Sequence, residues 1–346
     1  MTQPPAPSPA RGGVSIRRRL LSLPTLVSFA IAAALILFLT ARFDISMSDT
    51  WQSLRHANPW MYLLALLVNY ATFPFRGARW RLLLRNVQER GAPLPSVPKS
   101  ALYVLLGWFA NSVTWFRLGD AYRAYAYSDD TGASFSRSLG TVVSERVQDV
   151  LLVFVLLLVA WAFFLANGEA PSWLLMGIAG ALALSMLLLL AVMALFRARY
   201  ARRLPQKVQG VYERFHQGTV GSFRSRQAGL LLLGLLGWLA EVGRLYFVVQ
   251  ALGLPVELPL ILFATLGNAI LTLVPITPGG LGFVEPGLTG LLMLSLTKGQ
   301  AVSVTLLDRS ISYMSIVVFG ALAFLLREVF RRRARRRVQA GGVTAA

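Results

Sequence analysis

Apolar residues fall along this chain in long uninterrupted runs. Segments 20–41, 57–75, 150–168 and 170–196 hold no charged side chain. Segment 227–240 continues through Glu241 and Arg244 into the apolar stretch 245–256, and 310–326 closes the series. The hydrocarbon core of a bilayer is about 30 Å thick and a helix rises about 1.5 Å per residue, so about 20 apolar residues span it. The pattern predicts an all-α polytopic membrane protein with about six transmembrane helices. Two further apolar regions, 100–116 and 258–296, are less regular. The second contains Pro275, Pro278, Gly279, Gly280 and Gly282, which break any straight helix.

The polar residues between the runs orient them. Arg17, Arg18 and Arg19 precede the first run, which is too long for a signal peptide and lacks a small-residue cleavage site before Arg42. Arg76, Arg79, Arg81, Arg85 and Arg90 follow the second run. Segment 197–226 carries eight Lys or Arg against Glu213 alone, and Arg327, Arg331, Arg332, Arg333, Arg335, Arg336 and Arg337 end the chain. By the excess of positive charge on cytoplasmic loops, all four regions lie inside, with both termini. The turn around Glu169 holds no base and lies outside. Lys99 and Arg137 then both face the cytoplasm, so 98–136 enters the membrane and returns. By the same logic 256–299 enters and returns from outside. Both read as re-entrant hairpins, since broken backbone at membrane depth is tolerated only against protein or a water-filled cavity.

The two hairpins echo each other. Leu118-Gly119 and Leu281-Gly282 are 163 residues apart, as are Glu145-Arg146 and Asp308-Arg309. Arg79 and Arg244 differ by 165, and Asn111 and Asn268 by 157. The implied units, about 57–168 and 227–326, run in opposite directions through the membrane. Inverted repeats of this kind place transporter sites where broken helices of the two units meet. Around them the expected domains are a basic N-terminus (1–19), an integral membrane domain (20–330) and an Arg-rich tail (331–346).

Composition narrows the chemistry. Of 346 residues 55% are hydrophobic and 14% charged; 34 are basic and 15 acidic, a net charge of +19. With this apolar bulk the basic excess points to an anionic membrane face and not to nucleic acid. Only Lys99, Lys207 and Lys298 are lysines, and the other basic residues are arginines. Cys is absent, which excludes disulfides and thiolate chemistry. His56 and His216 are too few for a zinc cluster, and no cofactor, metal or catalytic residue is expected.

Ionisable side chains within apolar segments are costly and must pair or act. The candidates are Arg117, Asp120 and Arg123 at the first hairpin turn, and Glu145, Arg146 and Asp149 at the next span. Glu241 and Arg244, three apart on one helical face, are placed to pair with each other. Glu285 with Gly280 and Gly282 marks the second hairpin, and Asp308 and Arg309 the last span. A guanidinium binds phosphate oxygens bidentately and stays charged. Gly-rich tips offer backbone N–H groups to an anion. A pocket with arginines from both units suits a phosphorylated amphiphile, and Trp108, Trp115, Tyr122, Tyr125 and Tyr127 are placed to line its path or to anchor the interface.

Four motifs carry a family resemblance: Phe75-Arg-Gly-Ala-Arg79-Trp80; Arg117-Leu-Gly-Asp120 with Arg123; Ser144-Glu-Arg146 with Asp149; and Pro278-Gly-Gly-Leu-Gly-Phe-Val-Glu285. Together they resemble the flippase-like transmembrane region of lysylphosphatidylglycerol synthases, over roughly residues 20 to 330. The resemblance implies translocation of an aminoacylated phospholipid or related polar lipid. It carries Arg79, Asp120, Arg123, Arg146, Asp149, Gly280, Gly282 and Glu285 as site residues. The aminoacyl-transfer domain of the bifunctional synthases has no counterpart in this sequence, so lipid aminoacylation is not expected. The leading expectation is a lipid translocator in a bacterial-type cytoplasmic membrane, moving an aminoacylated phospholipid or a polyprenyl-phosphate-linked lipid. The alternatives are an intramembrane enzyme acting on a lipid phosphate, and a scaffold for a lipid-modifying enzyme. The expected partners are anionic or phosphate-bearing membrane lipids; oligomeric state is not legible.

Overall fold

The computed structural model describes residues 55–89, 91–166, 205–223, 226–273 and 277–343, together with residues 52, 177 and 180. The span expected at 20–41, that at 170–196 apart from residues 177 and 180, and the turn at Glu169 lie outside these residues, as do Arg17–Arg19 and Pro275. Among the described residues the structure is helical, with no strand.

Helix α1 (Pro59–Asn86) starts where Asn58 accepts from the backbone N–H groups of Trp60 and Met61, with Pro59 preset for a first turn. Helix α2 (Val97–Val113) starts the same way at Ser96, and ends at a turn, Trp115–Arg117, that feeds α3 (Gly119–Thr131). Gly132 in the left-handed conformation stops α3. Then follow α4 (Phe135–Ala166), α5 (Gln206–Gly221), α6 (Gln227–Ala251) and α7 (Leu258–Leu273). A second turn, Pro278–Gly280, leads into α8 (Val284–Leu292). Helix α9 (Lys298–Arg309), begun by a Thr297–Gln300 capping box, passes through a π-helical segment, Ser310–Ser315, into α10 (Ile316–Val343).

The most extensive interface joins α1 and α6. Asn58 N–H donates to Ala251 C=O and Thr72 to Gly237 C=O, so the helices are antiparallel. Gly234, Gly237 and Gly243 face Arg79, Arg76 and Val68, and their missing side chains let the backbones close. The α4–α5 crossing is tighter still: a Cβ on Gly140 or Gly218 would overlap a facing carbonyl. Valine and leucine of α6, α7 and α8 form the main apolar core.

Outward surfaces are apolar as well. Leu151, Val155, Leu158 and Val159 lie exposed along one face of α4, and Val318, Leu322, Leu325 and Val329 along one face of α10. Such continuous stripes have no place in water and match a lipid contact. Phe135–Phe163, Gln227–Ala251 and Lys298–Arg331 are long and apolar enough to cross a membrane. Segment 57–75 lies almost wholly in α1, which has the length, but its 28 residues include Asn69, two tyrosines and four arginines.

The structure corrects two sequence expectations. Helix α4 begins at Phe135, so Arg137, Glu145, Arg146 and Asp149 lie within the helix and not ahead of it. Arg76 and Arg79 are likewise buried inside α1, 4% and 0% exposed, and are no cytoplasmic flank. A side chain neutralised inside the fold carries no orientation signal, and both arginines are ion-paired.

The two turns have matching backbones at the 163-residue offset. Thr114 (φ −126°, ψ 154°) corresponds to Thr277 (−130°, 153°). Phe116 (58°, 25°) corresponds to Gly279 (61°, 15°), both left-handed. Phenylalanine there is strained and glycine is not.

Candidate functional site: an arginine-lined cavity

The turns of both hairpins approach one cavity of about 210 Å³. Arg117 at the first turn and Gly279 and Gly280 at the second face it; α2 contributes Trp108, Asn111 and Ser112, and α7 Asn268 and Thr272. Arg76 of α1, Arg146 and Asp149 of α4, Trp238, Glu241 and Arg244 of α6, and Arg309 of α9 complete its charged and aromatic wall. Five guanidiniums thus meet two carboxylates at the lining.

Behind the lining the charges form a network. Arg79 Nη1 lies 2.6 Å from Asp149 Oδ1, while its Nε and Nη2 donate to Gln148 Oε1 and Nη2 also to the Glu145 carbonyl. Asp149 holds Arg146 at 3.3 Å and Arg76 at 3.7 Å as well. Arg123 of α3 pairs with Glu145 at 2.8 Å, its guanidinium 4.8 Å from the Trp80 ring centroid. Arg146 grips Asp120 with two bonds, Nε–Oδ2 3.0 Å and Nη2–Oδ1 2.7 Å, which ties α4 to the first hairpin. Arg309 does the same for the second, donating to Glu285 Oε1 at 2.8 Å and to the Gly279 carbonyl at 3.0 Å.

Glu241 and Arg244 do not pair with each other. Glu241 accepts from Arg76 across the α1–α6 interface, and Arg244 reaches Asp308 of α9 at 2.8 Å. Arg76 is also held between the Trp108 and Trp238 rings, 5.2 and 5.3 Å from their centroids. Glu241 and Arg244 are each claimed by a partner on a neighbouring helix, and both pairs lie largely buried.

The glycine-rich tip differs from expectation too. Gly282 N–H donates to Glu285 Oε2 at 2.6 Å, and the N–H groups of Gly280, Leu281 and Phe283 are taken by carbonyls of the turn. These four amides are therefore already engaged within the turn. Gly119 N–H is likewise bonded to Asn111 Oδ1 at 2.8 Å. Unpartnered polar atoms at the lining residues lie elsewhere: the buried Arg244 Nε, Trp238 Nε1 and Asn268 Oδ1.

Of the residues expected to bind substrate, Arg117, Arg146, Asp149, Glu241, Arg244, Gly280 and Arg309 line the cavity. Arg79, Asp120, Arg123, Glu145, Glu285 and Asp308 do not line it and stand behind it as ion-pair partners, and Gly282 lies between the second turn and α8. Arg76, Trp238 and Tyr313 line it and were not among the residues expected there. Arg76 sits inside the Phe75–Trp80 motif, a signal that was present. Of the aromatics, Trp108 lines the cavity; Tyr127 packs in the core with Trp80 and Tyr103.

Outward apolar faces around a cavity lined by five arginines define an integral membrane protein with a cationic interior. The chain belongs to the family of the lysylphosphatidylglycerol synthase TM region, whose model matches residues 25–320. A UPF0104 membrane protein of Methanocaldococcus jannaschii, MJ1078, is 32% identical over 64% of this chain and 94% of its own length. A second, PH1989 of Pyrococcus horikoshii, is 24% identical over 76% of this chain and 86% of its own. The glycosyltransferase AglD of Haloferax volcanii is 23% identical over 90% of this chain, which spans 56% of AglD.

Proposed function

We propose that this protein moves a polar, phosphate-bearing lipid between leaflets by alternating access, as a transporter and not as an enzyme. The substrate class is an aminoacylated phospholipid or a polyprenyl-phosphate-linked lipid. The observation that carries the reading is the cavity itself: five arginines and two carboxylates between two hairpin turns, inside helices whose outer faces are apolar. At about 210 Å³ it falls below the roughly 300–1,000 Å³ of sites that enclose a whole drug-sized ligand. It suits a headgroup whose acyl chains remain in lipid.

The matching turns support an inverted repeat whose two hairpins are re-entrant, one from each side, in a cytoplasmic membrane with both termini inside. Arg146 and Arg309 brace their hairpins through Asp120 and Glu285 in parallel fashion, so a rocking of one unit against the other carries both turns with it.

Transport is tested in liposomes holding only this protein, with a fluorescent phosphate-bearing lipid and a membrane-impermeant quencher. Wild-type vesicles are expected to lose inner-leaflet signal as lipid crosses, and protein-free vesicles only the outer-leaflet pool. Arg309→Ala should abolish crossing in folded protein and Arg309→Lys restore it in part, because an ammonium loses the fork geometry. Quenching confined to the outer pool in wild-type vesicles would overturn the transport reading.

Topology has its own test. The chain has no cysteine, so Lys99→Cys, Arg137→Cys, Glu257→Cys and Lys298→Cys each report alone. The first two should label only from the cytoplasmic side and the last two only from outside. Labelling of position 137 from outside would remove the first re-entrant hairpin.

A further inference from the structure

Ion pairs in the site leave one charge over. Asp120, Glu145, Asp149, Glu241, Glu285 and Asp308 each lie within 4.0 Å of at least one arginine. Each arginine of the network has a carboxylate at that range except Arg117, which donates to the Thr272 carbonyl at the end of α7 instead. Among the described residues of the site, seven guanidiniums therefore face six carboxylates, and the uncompensated one belongs to Arg117. It lines the cavity with Arg244 and Trp238, whose Nε and Nε1 are buried donors without acceptors. Arg244 is 3% exposed and Trp238 6%.

We propose that the site selects for one unit of negative charge: a phosphodiester headgroup, its non-bridging oxygens taken by Arg117, Arg244 and Trp238. This rests on the transport reading above and goes beyond it by naming the charge of the substrate and the residue that sets it. A phosphodiester carries a single negative charge at any cellular pH. A phosphate monoester carries a second above its second pKa, about 6. In a cavity with one excess cation that second charge has no partner, and an unpaired charge held among buried groups is costly. The phosphate also takes Arg117 away from Thr272, which at present ties the first hairpin turn to α7 of the second. Substrate and hairpin carbonyl compete for one guanidinium.

Binding is measured apart from transport, in detergent, by the fluorescence of the tryptophans at the cavity. The probes are short-chain phosphatidylglycerol, a diester, and short-chain phosphatidic acid, a monoester. At pH 8 the diester is expected to bind at least tenfold more tightly. At pH 5.5, with the monoester singly charged, the gap should close to within about threefold. Arg117→Gln should weaken the diester at least tenfold with an unchanged melting temperature, and Arg117→Lys should keep the preference for it. Equal binding of both probes at pH 8, or an unaltered preference in Arg117→Gln, would overturn the proposal. If Arg117→Gln fails to fold, the pH dependence of the two probes in the wild type decides alone. Discrimination in binding with no lipid crossing in liposomes would leave the charge rule standing and remove the transport reading. Deacylated glycerophosphoglycerol should bind at least tenfold more weakly than the lipid. Equal binding would make the ligand a soluble diester, upholding the charge rule and not the lipid.

Discussion

Asp308→Ala is expected to unfold the protein more readily than any other single change to a carboxylate of the second half. Its side chain is fully buried, 2.8 Å from Arg244 and bonded by Ser312. Removing one partner of a buried ion pair costs about 3–5 kcal/mol, because the other charge stays in the interior uncompensated. A large fall in melting temperature in detergent checks this. Replacing both partners, Asp308→Leu with Arg244→Leu, should recover most of the stability, since apolar isosteres of a buried pair are often neutral or better. The double variant should nevertheless fail to move lipid, because it removes one of the five arginines that line the cavity. Stability and transport therefore separate in one pair of residues. A stable double variant with wild-type transport would show that the pair serves folding alone.

The second large effect is expected at Gly119, where α3 leaves the first turn. A Cβ there would stand 1.9 Å from the Gly107 carbonyl oxygen and 2.7 Å from the Asn111 side chain, with backbone on one side and no room to yield. Gly119→Val should force α2 and α3 apart and displace Asn111 and Arg117 from the cavity. Overpacking of this kind typically costs 1–3 kcal/mol or more. Loss of transport should be near complete, with a lowered melting temperature. Gly290→Ala is the control: no atom lies within 4 Å of its added Cβ, and alanine favours a helix interior by about 1 kcal/mol. It should leave transport unchanged and the melting temperature no lower than the wild type's. Wild-type transport in Gly119→Val would mean that the hairpin need not be closed for function.

The contrast between these residues shows what a single sequence can carry. The 163-residue echo of Glu145-Arg146 in Asp308-Arg309 was legible because local motifs repeat in order, and the backbone angles of the two turns have the same offset. The charge-bearing segments were legible because a charge in an apolar run stands out. Pairing was not. Glu241 and Arg244 are three apart on one helix, yet their partners come from α1 and α9, 165 residues before Glu241 and 64 beyond Arg244. Neighbourhood along a helix is readable from spacing; neighbourhood across helices depends on crossings that glycines such as Gly237 and Gly234 permit. Arg76 was misplaced for a related reason. A basic residue after an apolar run looks like a cytoplasmic flank until Glu241, Trp108 and Trp238 are known to surround it. Arg327 is similar: it ends the last apolar run but pairs with Asp130 of α3 at 2.7 Å, so it also fastens the first hairpin.

The π-helical segment Ser310–Ser315 reconciles two demands on one rod. Before it, Asp308 and Arg309 must point inward; after it, Val318, Leu322 and Leu325 must meet lipid. Tyr62 and Tyr70 of α1 bond to the Ser310 and Ser315 hydroxyls at its two ends, which fastens the widened turn in place. A π-turn holds one residue more than an α-turn. Were the same residues wound as an ordinary α-helix, everything beyond them would be turned by about 100° relative to what comes before. The oily stripe would then swing toward the arginines and the ion-paired half would stay where it was. At this one place the width of the winding, as much as residue type, decides which way the last stretch of the chain faces.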